Sequence, residues 1–136
     1  MAYAQPRLTI VVVVDGMTHE CLKALQPHLP DGGLKLLYEE SYKTIASFPH
    51  QVYGGQETMA TLMTGTTPNN HGIMADSFYD RTNREQPLQT ILTDTKVFGI
   101  GTTLQISPRS IISTTITDEW RMMHGSNAKI YAIGLH

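Results

Sequence analysis

The stretch that decides the fold is Leu8-Thr9-Ile10-Val11-Val12-Val13-Val14, followed at once by Asp15-Gly16. The run is apolar, mostly β-branched and without alternation, a pattern typical of a parallel strand covered on both faces. A helix should come next, because Thr18 can act as an N-cap and Pro27 can end the helix. A buried strand followed by a helix predicts an α/β fold.

Later elements are predicted from apolar spacing and from glycine and proline end signals. In chain order they are a helix over 34–38, a strand over 42–48, a helix over 57–63, a helix from Pro108 up to Gly125, and a strand over 129–135. The chain would then stop at the carboxyl end of a strand, where α/β folds place their sites. We therefore expect residues 1–136 to form a single partial domain, the N-terminal part of a larger one.

Composition excludes several classes of protein. With 136 residues, 40% of them hydrophobic, the chain can build one globular core. A net charge of −2 with scattered Lys and Arg residues predicts no nucleic-acid partner. The single cysteine, Cys21, excludes an intrachain disulfide, and the apolar run 8–14 is too short to span a membrane. Nothing in the sequence indicates an oligomeric state.

The N-terminus carries a weak export signature. Ala2-Tyr3-Ala4 has the small-x-small form of a signal-peptide cleavage site, although no apolar segment precedes it. We interpret it as the remnant of a trimmed signal, which predicts a periplasmic or secreted protein.

Asp15 is the first candidate for chemistry. It lies between a predicted buried strand and a glycine, where a carboxylate can face a crevice and bind a metal ion. The alternative role, local capping of the turn, is about equally frequent at such positions. The residue type and its place leave both roles open.

A second candidate region is the glycine-bearing turn over 47–58, which leads into a predicted helix. Such a turn can present backbone N–H groups and a hydroxyl to a phosphate. Thr58 is a candidate nucleophile there, although a capping or surface threonine is several times more frequent. His50 and His71 are candidate metal ligands, with simple hydrogen bonding as the commoner alternative.

Four stretches together resemble the alkaline phosphatase superfamily, in particular its type I phosphodiesterase/nucleotide pyrophosphatase branch and the related bacterial phosphate monoesterases. Their order and spacing follow the family along most of the chain. The Thr-Gly-Thr-Thr-Pro to His-Gly-Ile stretch is the most specific. The four stretches are 11–17, 32–37, 60–73 and 107–119.

The resemblance implies the N-terminal part of an alkaline phosphatase-like three-layer sandwich with a mostly parallel sheet. It also implies a two-metal hydrolase, usually a zinc enzyme, that acts on small phosphate mono- or diesters. In that family the Asp that closes the first strand binds metal, a position taken here by Asp15. A Thr or Ser ahead of the Thr-Gly helix attacks phosphorus, and the remaining metal ligands follow later in the chain than residue 136.

Two positions depart from the family pattern. The nucleophile position falls on Gly55, which has no hydroxyl, unless a shift of the loop brings Thr58 forward. Where the monoesterases have an Asn that contacts phosphate, this chain has Asp76, whose negative charge should weaken phosphate binding unless Asp76 is protonated or turns to a metal. The sequence therefore supports two hypotheses. In the first, the full-length parent hydrolyses phosphate esters with metal ions and this fragment is inactive; in the second, the protein is a catalytically impaired relative that binds metal or a phosphorylated ligand.

Overall fold

The computed structural model describes residues 8–52, 54–82, 84 and 88–134. Ala2-Tyr3-Ala4, interpreted above as a signal remnant, and Leu135, the last residue of the final predicted strand, lie outside the described residues. The chain divides into two compact units, residues 1–46 and residues 47–136, and each is described by itself.

Two helices form the regular structure of the first unit. Helix α1, His19–Leu25, begins where the Thr18 side chain accepts a hydrogen bond from the Cys21 N–H at 3.1 Å. It passes into a 3₁₀ turn, Gln26–His28, because Pro27 lacks the N–H that would continue an α-helix. Helix α2, Gly33–Glu40, follows. Both helices confirm the elements predicted from apolar spacing and capping residues.

The strands predicted over 8–14 and 42–48 are wrong, because neither range forms a strand; the second range runs from the first unit into the second. The side chains of the valine run are exposed, 72% in the case of Val12. A parallel strand is stable only when neighbouring strands satisfy its backbone and helices cover its faces. The described residues of the first unit provide no such neighbours, so the β-branched run stays unpaired.

The second unit contains most of the ordered structure. Its elements are helix α3, Gly55–Thr64; helix α4, Pro68–His71; strand β1, Ser77–Tyr79; strand β2, Leu88–Thr90; a 3₁₀ turn, Pro108–Ser110; helix α5, Ile116–His124; and a second 3₁₀ turn, Gly125–Asn127. Strands β1 and β2 pair antiparallel with Ser77 opposite Thr90. Helix α3 ends as predicted at Gly65, whose φ of 67° is the left-handed conformation that glycine adopts easily.

Helix α5 begins later than predicted. Ser107 and Pro108 start only a 3₁₀ turn, and the helix starts at Ile116. Thr115 forms a capping box with Asp118, in which each side chain accepts from the other residue's backbone N–H. This local capping sets the start of the helix after the threonine-rich segment, whose β-branched residues disfavour helix. The predicted end at Gly125 is confirmed.

The architecture is therefore a mixed, mainly helical one. Residues 129–134 form no strand, and the one sheet among the described residues is the antiparallel pair β1–β2 rather than a parallel sheet. Across the described ranges, no helix is both long and apolar enough to cross a membrane. The predicted three-layer sandwich and the single partial domain remain predictions.

The core of the second unit lies where α3 packs against α4. Its buried apolar residues are Ala60 and Ile73, and its buried polar residues are Glu57, Thr61 and His71. Polar side chains outnumber apolar ones among the buried residues of the described ranges. Burying a neutral polar group without a hydrogen-bond partner costs on the order of 1–3 kcal/mol. The buried polar side chains of this core therefore need hydrogen bonds or ion pairs. The candidate site is built around these residues.

Candidate functional site at the start of helix α3

The carboxylate of Asp76 lies at the N-terminus of helix α3. Its two oxygens accept hydrogen bonds from the backbone N–H groups of Gly55, at 3.2 Å, and of Gln56, at 2.7 Å. These are among the N–H groups that have no partner inside a helix, and the helix dipole favours a negative charge beside them. The N-cap residue Gly54 has no side chain to do this, so Asp76 caps the helix from 20 residues further along the chain.

Gly54 is required by the position of Asp76. A Cβ atom at Gly54 would lie 2.4 Å from one carboxylate oxygen of Asp76 and 2.5 Å from its carboxyl carbon. A Cβ at Gly55, in contrast, would have no heavy atom of its surroundings within 4 Å. The absence of a side chain is thus a steric need at Gly54 and not at Gly55.

Thr58 lies one turn into α3, and its hydroxyl donates a hydrogen bond to the carbonyl oxygen of Gly54 at 2.7 Å. Threonine hydroxyls inside helices often bond to the carbonyl four residues back. Gly54 thus lies beside Asp76 and accepts a hydrogen bond from Thr58, so two of the predicted site residues are neighbours of Gly54 at the start of this helix. The role of Thr58 as nucleophile stays a prediction.

His71 is fully buried, and both of its ring nitrogens are used. Its Nδ1 accepts from the backbone N–H of Ile73 at 3.1 Å, which leaves the proton on Nε2 in the neutral ring. Nε2 lies 3.0 Å from the Thr61 hydroxyl oxygen, which accepts that proton's hydrogen bond. His71 therefore has the hydrogen-bonding role that the sequence analysis gave as the commoner alternative to metal binding.

Burial lowers the pKa of His71 below its usual value, Glu57 acts against this by raising it, and His50 lowers it further. A protonated ring would also turn Nδ1 into a donor that faces the Ile73 N–H. Both effects favour the neutral ring in the folded state. The site thus contains a buried histidine that disfavours charge.

Glu57 and His50 form a second pair, on the same buried face of α3 as Thr61. Glu57 is fully buried, and its Oε1 lies 3.1 Å from Nε2 of His50. A cleft of about 500 Å³ opens beside the pair, and its walls include Thr67, Pro68 and Asn69. That volume lies within the range of small-molecule sites, and its polar groups can position a ligand.

The predicted metal ligand Asp15 belongs to the first unit. One of its carboxylate oxygens accepts from the N–H of Gly16 at 2.8 Å, which is the local turn role considered above. No three His, Cys, Asp or Glu side chains of the described residues come close enough together to hold a metal ion. These residues alone therefore do not fit the zinc site implied by the resemblance, and the assignment of Asp15 stays a prediction.

Comparison with known proteins places the chain in a family. Residues 9–128 match the type I phosphodiesterase / nucleotide pyrophosphatase family, so the chain belongs to it, as the sequence resemblance indicated. The match covers α3, Asp76 and Asp15.

Two curated relatives are alkaline phosphatases. Alkaline phosphatase PafA of Elizabethkingia meningoseptica is 26% identical over 98% of this chain and 25% of that protein. Alkaline phosphatase PhoV of Synechococcus elongatus is 25% identical over 97% of this chain and 24% of that protein. The chain thus spans about a quarter of the length of these relatives. No solved structure matches it significantly.

Sequence reasoning missed Gly54, Glu57 and Thr61. The sequence predicted a helix that contains Glu57, but a helical pattern does not predict that a charged residue is buried, as Glu57 is. The spacing of Glu57 and Thr61, four residues apart, was an available signal, because such residues share one helix face. The close approach of Asp76 to Gly54 depends on tertiary structure and has no local signal.

The first prediction concerns His71. Since its pKa is lowered in the folded state, the unfolded state binds more protons below about pH 6.5, and stability should fall as the pH falls through that value. We expect a lower free energy of unfolding in urea at pH 5.5 than at pH 7.5, and a smaller difference in His71→Gln. Exposed His28→Gln is the control; an equal pH dependence in all three proteins would contradict the assignment.

The second prediction compares two neighbouring glycines. Gly54→Ala should push the Asp76 carboxylate away from the helix and lower the free energy of unfolding by about 1 kcal/mol, the usual cost of a lost cap. Gly55→Ala should leave it unchanged or raise it by up to about 1 kcal/mol, because alanine favours helix. Chemical denaturation measures both. Equal effects of the two substitutions would show that Asp76 does not approach Gly54 closely.

Proposed function

We propose that this chain is the N-terminal part of an enzyme that hydrolyses small phosphate mono- or diesters with the help of metal ions, with zinc as the expected metal. The chain belongs to the type I phosphodiesterase family, and the observation that supports the proposal most directly is that the start of helix α3 binds an anionic group. There the N–H groups of Gly55 and Gln56 bind two carboxylate oxygens. Phosphate oxygens can use the same donors if they displace the Asp76 carboxylate, because helix N-termini bind both kinds of anion.

The chain's own residues would contribute binding and position in this proposal. The N–H groups of α3 would face the phosphate, and Thr58 is the hydroxyl nearest to them in the helix, with its proton held on the Gly54 carbonyl. Asp15 would supply one metal ligand, and the others would come from outside the described residues. Metal ions in such enzymes stabilise the negative charge on the phosphoryl oxygens. The fragment by itself would be inactive.

A second candidate function is binding without catalysis: the protein would be a catalytically impaired member of the family that binds metal or a phosphorylated ligand. Two observations favour it: Gly55 has no hydroxyl, and Asp76 already occupies the N–H groups that a phosphate would use. The fold would then persist for binding without turnover. Both candidates can bind a small phosphate ester, and for both we propose a periplasmic or secreted location from the family resemblance and the Ala2-Tyr3-Ala4 sequence.

Hydrolysis assays on the full-length protein distinguish the two candidates. We expect turnover of p-nitrophenyl esters of phosphate that a chelator abolishes and added zinc restores. Asp15→Asn should lower the metal content and reduce turnover by about a hundredfold or more, since it removes a charged ligand. The matched control is Asp31→Asn, because Asp31 is exposed and pairs with Lys35 at the surface.

Two results of these assays would contradict the assignments. Full metal content with no turnover of any ester would support the impaired relative. Unchanged metal content and turnover in Asp15→Asn would exclude Asp15 as a ligand.

A further inference from the structure

The chain between strand β2 and the 3₁₀ turn Pro108–Ser110 includes a loop from Asp94 to Ser107, called here the 94–107 loop. We propose that the tip of this loop is an interaction surface for a phospholipid membrane with negatively charged headgroups. Such a contact would hold the protein at the surface of a membrane without crossing it. It would be independent of which ester the protein hydrolyses.

Hydrogen bonds close the base of the 94–107 loop. The backbone N–H of Asp94 donates to the carbonyl oxygen of Gln105 at 2.8 Å. The N–H of Ser107 donates to the carbonyl oxygen of Leu92 at 2.9 Å. The Asp94 carboxylate accepts from the Ser107 hydroxyl at 2.7 Å, and the Asp94 side chain is only 11% exposed. The base is therefore fixed, and the negative charge of Asp94 is held at the base and not at the tip.

The tip of the loop is apolar and exposed. Phe98 is 89% exposed and Ile100 is fully exposed. Leu104, on the returning arm, is 60% exposed. Apolar side chains that share one exposed surface often mark the place where a protein contacts another protein or a membrane. The tip is therefore a candidate contact surface.

The charge around the tip favours a negatively charged partner. Residues 95–117 form the longest stretch of the chain without an acidic residue, although the whole chain has a net charge of −2. Lys96 is exposed close to the tip. Arg109 follows the base and is 71% exposed, with its guanidinium 4.0 Å from the Asp94 carboxylate. The loop thus combines exposed apolar side chains with positive charge.

This combination fits a lipid surface better than a protein partner. A tip with two large apolar side chains is too small for a stable protein–protein interface, which covers roughly 800 Å² on each partner. A lipid surface needs less, because single apolar side chains can enter the headgroup region while cations attract the anionic lipids. Phe98 and Ile100 would supply the insertion, and Lys96 would supply the attraction.

Sedimentation with lipid vesicles tests the proposal on the full-length protein. We expect binding to vesicles in which phosphatidylcholine is mixed with phosphatidylglycerol, and much weaker binding to vesicles of phosphatidylcholine alone. Added salt should weaken the binding, because it screens the attraction between Lys96 and the headgroups.

Three variants locate the contact. Phe98→Ser should lower the affinity for the mixed vesicles by about tenfold or more, because it removes an apolar side chain that would leave water on binding. Lys96→Gln should lower it by about fivefold, the usual contribution of one cation near an anionic lipid surface. Met123→Ser is the matched control, since Met123 is 72% exposed on helix α5 and lies outside the loop, and it should leave the affinity unchanged.

Several results would overturn the proposal. Natural protein that does not bind the mixed vesicles, or that binds them no better than Phe98→Ser, would show that the tip does not contact lipid. A large fall in the melting temperature of Phe98→Ser would show that the tip packs against another part of the full-length protein. A change of oligomeric state in this variant, measured by gel filtration, would identify a second copy as the partner. Turnover of phosphate esters is measured separately, so these results would leave the proposed function standing.

Discussion

The second unit depends on the ion–dipole contact between the Asp76 carboxylate and the first N–H groups of α3. This contact joins the start of the helix to the chain segment that enters strand β1. With its start fixed, α3 presents Glu57 and Thr61 to the interior, where both are buried. The polar core is therefore organised from the same end of the helix at which we propose that phosphate binds.

The buried histidine shows why this core is specific. His71 connects α3 to the turn after α4, because Thr61 accepts from one of its ring nitrogens and Ile73 donates to the other. An apolar core of this size would tolerate repacking, whereas directional hydrogen bonds fix one arrangement. The sequence His71-Gly72-Ile73 is part of the most specific stretch of the family resemblance, and the structure gives it a packing role.

Helices were predictable where their signals are local. The start of α1 at Thr18 and the end of α3 at Gly65 follow from capping chemistry that acts within a few residues. The strand predicted over 8–14 failed because strand formation needs partners, which no local pattern supplies. The short hairpin of β1 and β2 was missed, since three-residue strands carry too little alternation to detect.

For the candidate site, too, the residues could be found from local sequence, whereas their tertiary contacts could not. Asp15, Thr58 and Asp76 were singled out from the sequence, and the structure brings the last two together around Gly54. That Asp76 caps α3 across 20 residues could not be predicted, because it depends on how β1 follows the helix in space. The charge that departs from the family pattern is also the charge that holds the helix.

The most direct test of this account compares the amide proton NMR signals of Gly55 and Gln56 in the natural protein and in Asp76→Asn at one neutral pH. If Asp76 caps α3, both signals lie further upfield in the variant, because a charged acceptor gives the stronger hydrogen bond. Signals at the same positions in both proteins would contradict the cap on which the account depends.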